Sequence, residues 1–474
     1  MNIVLINPPV KYLEMRQKLK PIINNLFYNS PPLGLCYLAG VLEEKGVFVK
    51  IIDAAVENLD FPAIIKRIRS FKADLIGITS LTNAFHVTVE LAKTIKRELR
   101  LPIVIGGPHV TANPNKVLLL KCFDIGILGE GEITLIEVID ALEKKKDLRG
   151  IDGIVFCHNS EIFFTKPREY IKNLDMLPFP ARHLVPLELY IPQPNDERQR
   201  PKLSMITSRG CPYRCIFCDK SIFGQGYRTF SPEYIVSEME YLSNNFGAKD
   251  IAFIDSMFGI DTKKIEKLTS AIQKKGLHKK VSWTCTIRAN TINKQLLRKM
   301  KETGCWRVRI GIETGSEEVL KFIKKEITKN QIKDAVFWAN ELRLQPKAFF
   351  ILGHLIDTKE TIEETIDFAK SLPLKDITVQ LNTPLPSTHQ YKIYKDYGIL
   401  VDGSLSRFSF WEPTFLPHGL SQGYLVKMQK KFYRTFYLRP VIIWRHLREI
   451  RSLYDIKKYL KAIRLLIYLF KEDI

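Results

Sequence analysis

The sequence predicts an α/β protein of two successive units, a doubly wound parallel sheet followed by a partial (β/α)6 barrel, with a helical extension after them. Three observations carry that expectation. Apolar runs rich in Val, Ile and Leu alternate with helical-period segments through residues 1 to about 150, and again from roughly 201 to 390. Between the two blocks, roughly 151–200, prolines crowd the chain. A length of 474 residues also exceeds what one ordinary core encloses.

In the first unit Asn2–Pro9, Val47–Asp53, Asp74–Ser80, Pro102–Gly107 and Asp124–Gly129 read as strands. Gly34–Lys45, Phe61–Ser70, Phe85–Leu99, Asn115–Lys121 and Glu132–Lys145 read as the helices between and after them. Near-continuous apolar strands are buried on both faces, as in a parallel sheet covered by helices on either side. In open sheets of this flavodoxin-like kind, ligands sit beyond the carboxyl ends of the strands. The segments there are Asn7-Pro8-Pro9, Thr79-Ser80-Leu81-Thr82, Gly106-Gly107-Pro108-His109 and Gly129-Glu130-Gly131-Glu132. Glycine in such loops lets backbone approach a ligand that a Cβ would strike. His86 and His109 read as loop histidines bonded to backbone, and Cys36 and Cys122 as buried structural thiols.

In the connector, Gly153–Cys157 and Glu161–Thr165 flank His158-Asn159-Ser160 as a β-hairpin. A proline-rich crossing runs from Leu177-Pro178-Phe179-Pro180 through Pro186 and Pro192 to Pro201, a stiff linker that admits no helix.

Strand and helix alternation resumes with Leu203–Ser208 as a strand and Ser231–Asn245 as a helix. Ile251–Asp255, Ser282–Ala289, Arg307–Ile312, Lys347–Leu352 and Ile377–Leu381 continue the strands of a barrel open on one side. Chemistry in such barrels collects at the carboxyl ends of the strands. The first of those ends carries Gly210-Cys211-Pro212-Tyr213-Arg214-Cys215-Ile216-Phe217-Cys218, three of the eight cysteines spaced C-x3-C-x2-C. Thiolates that close can converge on one soft centre, either iron–sulfur or zinc. Zinc needs a fourth ligand, and the usual second cysteine pair is missing. A cubane held by three thiolates leaves one iron open to a small molecule, and a chance group of thiols is the third reading. Cys285 and Cys305 read as packed thiols.

The C-x3-C-x-aromatic-C pattern resembles the radical S-adenosylmethionine (SAM) enzymes, where SAM's amino and carboxylate groups fill the open iron position of a [4Fe–4S] cluster. Ile251-Ala252-Phe253-Ile254-Asp255, Arg307 through Ser316, and Phe349-Phe350-Ile351-Leu352-Gly353-His354 resemble strand ends that line the SAM site in that family. The family's proline after that last glycine is replaced here by His354-Leu355. The resemblance implies SAM contacts from Phe217, Asp255, Arg288, Glu313 and Ser316. Beside it stand plainer readings: a core aromatic for Phe217, an ion pair with Arg288 or Arg307 for Glu313, and a structural carboxylate for Asp255.

Pro31 through Ala39, with the loops at Gly106 and Gly129, is similar to the cobalamin-binding domain that precedes many radical SAM domains. That likeness implies a cobalamin site at Pro9, Thr79, Ser80, Gly106, Gly107, Gly129 and Gly131. The D-x-H-x-x-G motif that supplies a histidine to cobalt in other cobalamin proteins is absent, so cobalt would be held without one. The methylthiotransferase branch, which carries extra cluster cysteines in its N-terminal domain, is disfavoured because only Cys36 and Cys122 lie there. The implied activity is methylation of an unactivated carbon in an unidentified lipid, tetrapyrrole or secondary metabolite. A flavodoxin or ferredoxin would donate the electron. A cyclase or oxidoreductase like the anaerobic magnesium-protoporphyrin monomethyl ester cyclase, or a non-catalytic cobalamin or redox sensor, are the alternatives.

A formal charge of +21 admits nucleic acid, an anionic membrane or acidic ligands as partners, beside a merely solvated Lys-rich surface. No zinc-finger or RRM signature supports nucleic acid, and none is expected as a partner. Met1–Asn7 enters a strand at once, leaving no room for a signal peptide. The longest apolar runs, such as Leu465–Phe470, fall far short of the roughly 20 residues that cross a bilayer. The cysteines form no disulfide framework, which makes a cytoplasmic setting the expectation. In the extension, roughly 391–474, Ile443, Leu447, Ile450, Tyr454, Leu460, Ile463 and Ile467 follow helical spacing, with Arg445, Arg448, Arg451, Lys457, Lys458, Lys461 and Arg464 between them. Such a basic amphipathic helix either packs on its own protein or lies on an anionic membrane.

Overall fold

Seven strands form the first sheet: β1 (Asn2–Asn7), β2 (Phe48–Asp53), β3 (Leu75–Thr79), β4 (Ile103–Gly106), β5 (Ile125–Ile127), β6 (Ile154–His158) and β7 (Glu161–Phe164). Their order is β2-β1-β3-β4-β5-β6-β7 in the computed structural model, which describes residues 1–9, 30–159, 161–193, 196–401, 412–448, 450, 455–456, 459–460 and 463. The first five strands run parallel. The hairpin that the sequence puts in the connector is part of this sheet, because β6 pairs antiparallel with β5 and β7 with β6. The helices are α1 (Leu33–Glu44), α2 (Phe61–Phe71), α3 (Phe85–Leu99), α4 (Pro108–Ala112), α5 (Pro114–Leu118) and α6 (Glu132–Glu143).

Alternation along β1 divides the core. Ile3 and Leu5 pack with Leu35, Leu42, Leu135 and Val138 of α1 and α6, while Val4 and Ile6 pack with Ile64, Ile68, Leu91 and Ile95 of α2 and α3. A strand with period two needs apolar residues at every position only when both of its faces are covered, and here both are.

The second sheet has six parallel strands in the order β15-β14-β13-β12-β11-β8: β8 (Lys202–Met205), β11 (Asp250–Phe253), β12 (Ser282–Ile287), β13 (Cys305–Glu313), β14 (Lys347–Leu352) and β15 (Asp376–Leu381). Two short strands, β9 (Ser208–Arg209) and β10 (Arg228–Thr229), pair antiparallel at the foot of the cysteine loop. Helices α7 (Pro232–Phe246), α8 (Thr262–Lys274), α9 (Lys294–Glu302), α10 (Glu317–Phe322), α11 (Lys329–Glu341) and α12 (Lys359–Ser371) follow the strands. Ser231, Asp261, Asn293, Thr328 and Thr358 cap five of them by accepting a backbone N–H of the first turn.

The extension carries α13 (His389–Ile393), the pair β16 (Gly398–Leu400) and β17 (Phe415–Pro417), then α14 (Gln422–Tyr437) and α15 (Pro440–Leu447). It closes one open edge of the sheet. Val379 of the edge strand β15 donates its N–H to the Tyr433 hydroxyl at 2.8 Å, and its carbonyl accepts from Gln429 Nε2 at 2.9 Å. An edge strand otherwise presents unpaired backbone groups, and here helix side chains answer them. Most of the helix expected beyond Leu447 lies outside the described residues. Among the described residues no helix is long and apolar enough to cross a membrane.

The two units share one core. Leu33, Tyr37 and Val41 of α1 belong to the same buried cluster as Leu203, Met205 and Phe253 of the second sheet, with Ile171, Leu174 and Leu177 of the connector between them. The connector also sends Arg182, fully buried, between Glu238 Oε1 of α7 at 2.6 Å and the Ser204 carbonyl of β8 at 2.8 Å. Among the described residues Arg182 Nε and Nη1 and Glu238 Oε2 have no partner, and burial raises the Glu238 carboxyl pKa despite the guanidinium.

An incompletely answered buried pair is costly to halve and cheap to replace. Arg182→Met should therefore destabilise the fold by about 3–5 kcal/mol in urea titrations, and adding Glu238→Leu should recover most of that loss.

Candidate functional site

The carboxyl ends of the two parallel sheets face each other across a cavity of about 200 Å³. From the first sheet its wall includes Thr79, Gly106, Gly107, Gly129 and Gly131; from the second, Ile206 and Arg209, with Ile222 and Phe223 from the loop after the cysteines. Leu5, Leu38, Val104 and Ile127 make much of the remainder apolar. Pro9 and Ser80 are not in this wall. Ser80 lies behind it, donating its N–H to the Gly106 carbonyl at 2.9 Å and accepting the His109 N–H at 3.2 Å.

Gly107 has φ +103°, and a Cβ there would come within 2.9 Å of the Ser80 carbonyl oxygen and 3.0 Å of Thr79 Oγ1. The backbone turn that opens the cradle is therefore available only to glycine. No histidine is in the wall among the described residues. His109 is buried; its Nδ1 lies 3.2 Å from Thr82 Oγ1 and its ring centroid 4.0 Å from that of Phe85, so its partner is a side chain and not the backbone. An apolar wall rimmed by glycine backbone offers a surface on which a large flat heterocycle could lie close to the chain, and in that chemistry the residues present fit a cobalamin.

The link between the units is Arg209, which is 1% exposed. Its Nη1 donates to Glu130 Oε1 at 2.9 Å, in the glycine loop of the first sheet, and its Nη2 to Glu132 Oε1 at 2.5 Å, at the start of α6. Its guanidinium lies 5.1 Å from the ring centroids of both Tyr37 and Phe223. Arg228 adds a second cation to Glu130 at 2.8 Å and donates to the Ile171 carbonyl at 2.7 Å. The next residue, Gly210, has φ +78°, and a Cβ there would lie 1.8 Å from the Gly226 carbonyl oxygen. Cys211 follows.

Asp255, beyond the end of β11, is the bracket for this turn. Its Oδ1 accepts the N–H groups of Thr207 and Ser208 at 2.6 and 2.8 Å, and its Oδ2 accepts the Thr207 hydroxyl at 2.6 Å. Burial outweighs those donors and pushes its pKa up to about 6. Both of its oxygens are thus turned to the loop's own backbone and hydroxyl.

Cys211 and Cys215 are half-buried and the Cys218 side chain is exposed, yet desolvation of its sulfur first, then the Cys215 thiol, with a smaller push from Cys211, raise the Cys218 pKa to about 12. A metal at the thiols would reverse that shift, because a coordinating thiol is deprotonated outright. Among the described residues no three His, Cys, Asp or Glu side chains converge on a single metal ion. A cluster, whose thiolates bind separate iron corners, asks for a wider donor set than one ion does, and the donor chemistry of three cysteines fits it.

Around this loop Arg288, just past β12, has its guanidinium carbon 3.7 Å from the Tyr213 ring centroid and donates from Nη1 towards Cys215 Sγ at 3.8 Å. Asn290 Oδ1 accepts its Nε at 2.9 Å, while its Nη2 is buried without a partner among the described residues. Glu313 is not paired with Arg288 or Arg307. Its Oε1 accepts Lys325 Nζ at 2.6 Å. Glu313 is also left-handed, with φ +69°, where β13 bulges against β14. A non-glycine residue held there costs about 1–3 kcal/mol, and such strain collects at functional positions. Ser316 precedes α10 and donates its N–H to Thr314 Oγ1 at 3.1 Å. Phe217 packs against a small cluster of Ile216, Val319 and Ile323, its ring centroid 5.7 Å from that of His354. The Ile216 backbone is clamped on both sides, donating to the Ile323 carbonyl at 3.1 Å and accepting from the Gln390 N–H at 3.0 Å.

Arg209, Lys325 and Tyr213 escaped the reading of the sequence. Arg209 had a signal, as the charged residue between the β8 run and Gly210-Cys211. Lys325 had none, since it lies in Lys324-Lys325-Glu326, which looks like an ordinary solvated surface.

Comparison with known proteins matches residues 19–139 to the B12 binding domain and residues 205–369 to the Radical SAM superfamily. The chain is 34% identical to an uncharacterized methyltransferase of Pyrococcus horikoshii over 452 residues, 95% of each chain. It is 28% identical to the anaerobic magnesium-protoporphyrin IX monomethyl ester cyclase of Cereibacter sphaeroides, over 91% of this chain and 72% of that one. In fold it is similar to the cobalamin-dependent S-adenosylmethionine radical enzyme OxsB with aqua-cobalamin bound, with a TM-score of 0.75, 16% identity, and 99% of this chain and 72% of that chain covered.

His354, fully buried with both ring nitrogens unpartnered among the described residues, has its pKa lowered by burial and by Lys325 to about 3. The unfolded chain takes up a proton near pH 6.5 and the folded chain only near 3, so its contribution to stability falls as pH drops through that window. Because Asp255, with its raised pKa, acts in the opposite direction over the same range, the readout is the difference between proteins: the urea midpoint of His354→Leu should rise relative to the wild type as pH falls from 7 to 5.

Proposed function

Since the chain belongs to the family whose members join a B12 binding domain to a radical SAM domain, we propose that it is a cobalamin-dependent radical SAM methyltransferase acting on an unactivated carbon of a small molecule. The observation that carries this reading is the Arg209 bridge. It ties the residue next to Gly210-Cys211 to Glu130 of the loop that rims the glycine cavity and to Glu132 at the start of α6, so two cofactors would meet at one interface. The relative identical at 34% is itself named a methyltransferase, which supports the same reading.

When bound, a reduced [4Fe–4S] cluster supplies the electron that splits the sulfonium of SAM, and cobalamin supplies a transferable methyl group. Cys211, Cys215 and Cys218 would hold the cluster as thiolates. Arg288 would set a positive charge beside the Cys215 sulfur and offer its unpaired Nη2 to a carboxylate such as that of SAM. Glu313, with Lys325 fixing its orientation, would accept from an amino group or a ribose hydroxyl. Phe217 would lie along the adenine, and Ser316 would turn the backbone at the start of α10 towards the same ligand. Asp255 would act one step back by holding the turn that carries the cysteines. Thr79, Gly106, Gly107, Gly129 and Gly131 would rim the cobalamin, with Pro9 and Ser80 supporting them. Excluding water around the cofactors would be the protein's part when they carry the hard chemistry, and the apolar share of the wall would serve it. The substrate is a lipid, tetrapyrrole or secondary metabolite, and a flavodoxin or ferredoxin delivers the electron.

Anaerobically reconstituted protein should show iron–sulfur and corrinoid absorbance together and should move labelled methyl from SAM into product. Zinc without iron or acid-labile sulfide would sink the proposal, and product formed without label would point to a cyclase instead. Cys215→Ala should lose both iron and SAM cleavage.

Arg209→Lys keeps the charge but loses the two-pronged geometry. It should lower methyl transfer by roughly 100-fold, the scale of a small misplacement of reacting groups, while lowering uncoupled SAM cleavage far less. Product and 5′-deoxyadenosine counted in the same reaction read the two separately.

A further inference from the structure

We propose that the outer face of the C-terminal extension docks on an anionic phospholipid surface. The inference stands apart from the catalytic reading, because it rests on groups on the outer face of the helical layer. A groove of about 960 Å³ runs along α14, lined by Lys370, Lys427, Lys430, Lys431, Arg434 and Arg439, with no carboxylate in its wall among the described residues. Lys431 is answered by Glu363 and Lys370 by Asp367, both from α12. Lys427 and Lys430 have no ion-pair partner among the described residues.

At Leu438 and Pro440 this groove runs into an apolar ledge. Leu438, Val441, Trp444 and Leu447 are 58%, 51%, 55% and 56% exposed, and spacing by threes puts the last three on one stripe of α15. The Arg448 guanidinium lies 3.9 Å from the Trp444 ring. A soluble acidic protein would answer the cations but leave the ledge in water. A bilayer surface offers anionic phosphates beside hydrocarbon, so one partner matches both halves of the patch, with tryptophan at the boundary where its ring is favoured. The basic surface thus lies on the helix before the one that the sequence singles out, and on residues of α14 that sequence periodicity does not mark.

The test uses the full chain and sedimentation with vesicles of phosphatidylcholine alone or of phosphatidylcholine with phosphatidylglycerol. The protein should pellet with the anionic vesicles only, and raised salt should release it. Lys427→Gln with Lys430→Gln should weaken binding about thirtyfold, from the usual contribution of each cation near a charged leaflet. Trp444→Ser should weaken it too and remove the blue shift in tryptophan emission that vesicles induce. All three positions are on the surface, and unchanged circular dichroism checks the fold. The inference is overturned if the wild type ignores anionic vesicles. It is also overturned if both variants bind as the wild type does, or if the same substitutions abolish capture of an acidic flavodoxin while vesicles stay unbound.

Discussion

A guanidinium taken out of water must be met by acceptors within the protein, and Arg209 meets them only because two halves of the chain come together. Glu130 stands on the loop after β5 and Glu132 opens α6, while Arg209 stands on the strand before the cysteines. Neither set is tolerable alone: two buried carboxylates, or one buried cation, would each lack compensation. Once they are joined, the faces of Tyr37 and Phe223 cover the charge. That requirement, with the shared core and the Arg228–Glu130 pair, sets the relative placement of the glycine cavity and the cysteine loop.

Other features of the site repeat the theme of buried polar groups spent on holding backbone. Asp255 fixes the turn between β8 and β9, and the two backbone bonds of Ile216 fix the middle of the cysteine loop. Arg182 joins the connector to α7 and β8. Backbone with positive φ appears where ligands are expected, without strain at Gly107 and Gly210 and with it at the left-handed Glu313. These are positions where regular strand geometry would carry the chain away from the cavity, and the cost of the irregular turn is met by the packing around it.

The outside of the second sheet is organised differently. There α14 closes the edge of β15 with Gln429, Tyr433 and Tyr437, which leaves its opposite face to water and to its lysines. Any helix that caps an edge with one face presents the other to a partner or to solvent. In this protein that other face is basic and adjoins exposed Trp444 and Leu447.

What was legible in the sequence is what local patterns encode. Strand and helix alternation specified both parallel sheets, since Lys347–Leu352 and Phe85–Leu99 are delimited by their own periodicity. C-x3-C-x2-C needs only nearby residues, so the three sulfurs could be read together. Three other things needed the tertiary structure. The hairpin at Ile154–Phe164 joined the first sheet because β5 offered an edge, a fact about a strand some thirty residues upstream. Glu313 paired with Lys325, and Arg209 with Glu130, over separations that no periodicity records. A charge pair is chosen by which groups share the same dry volume, and that volume exists only after both sheets have packed.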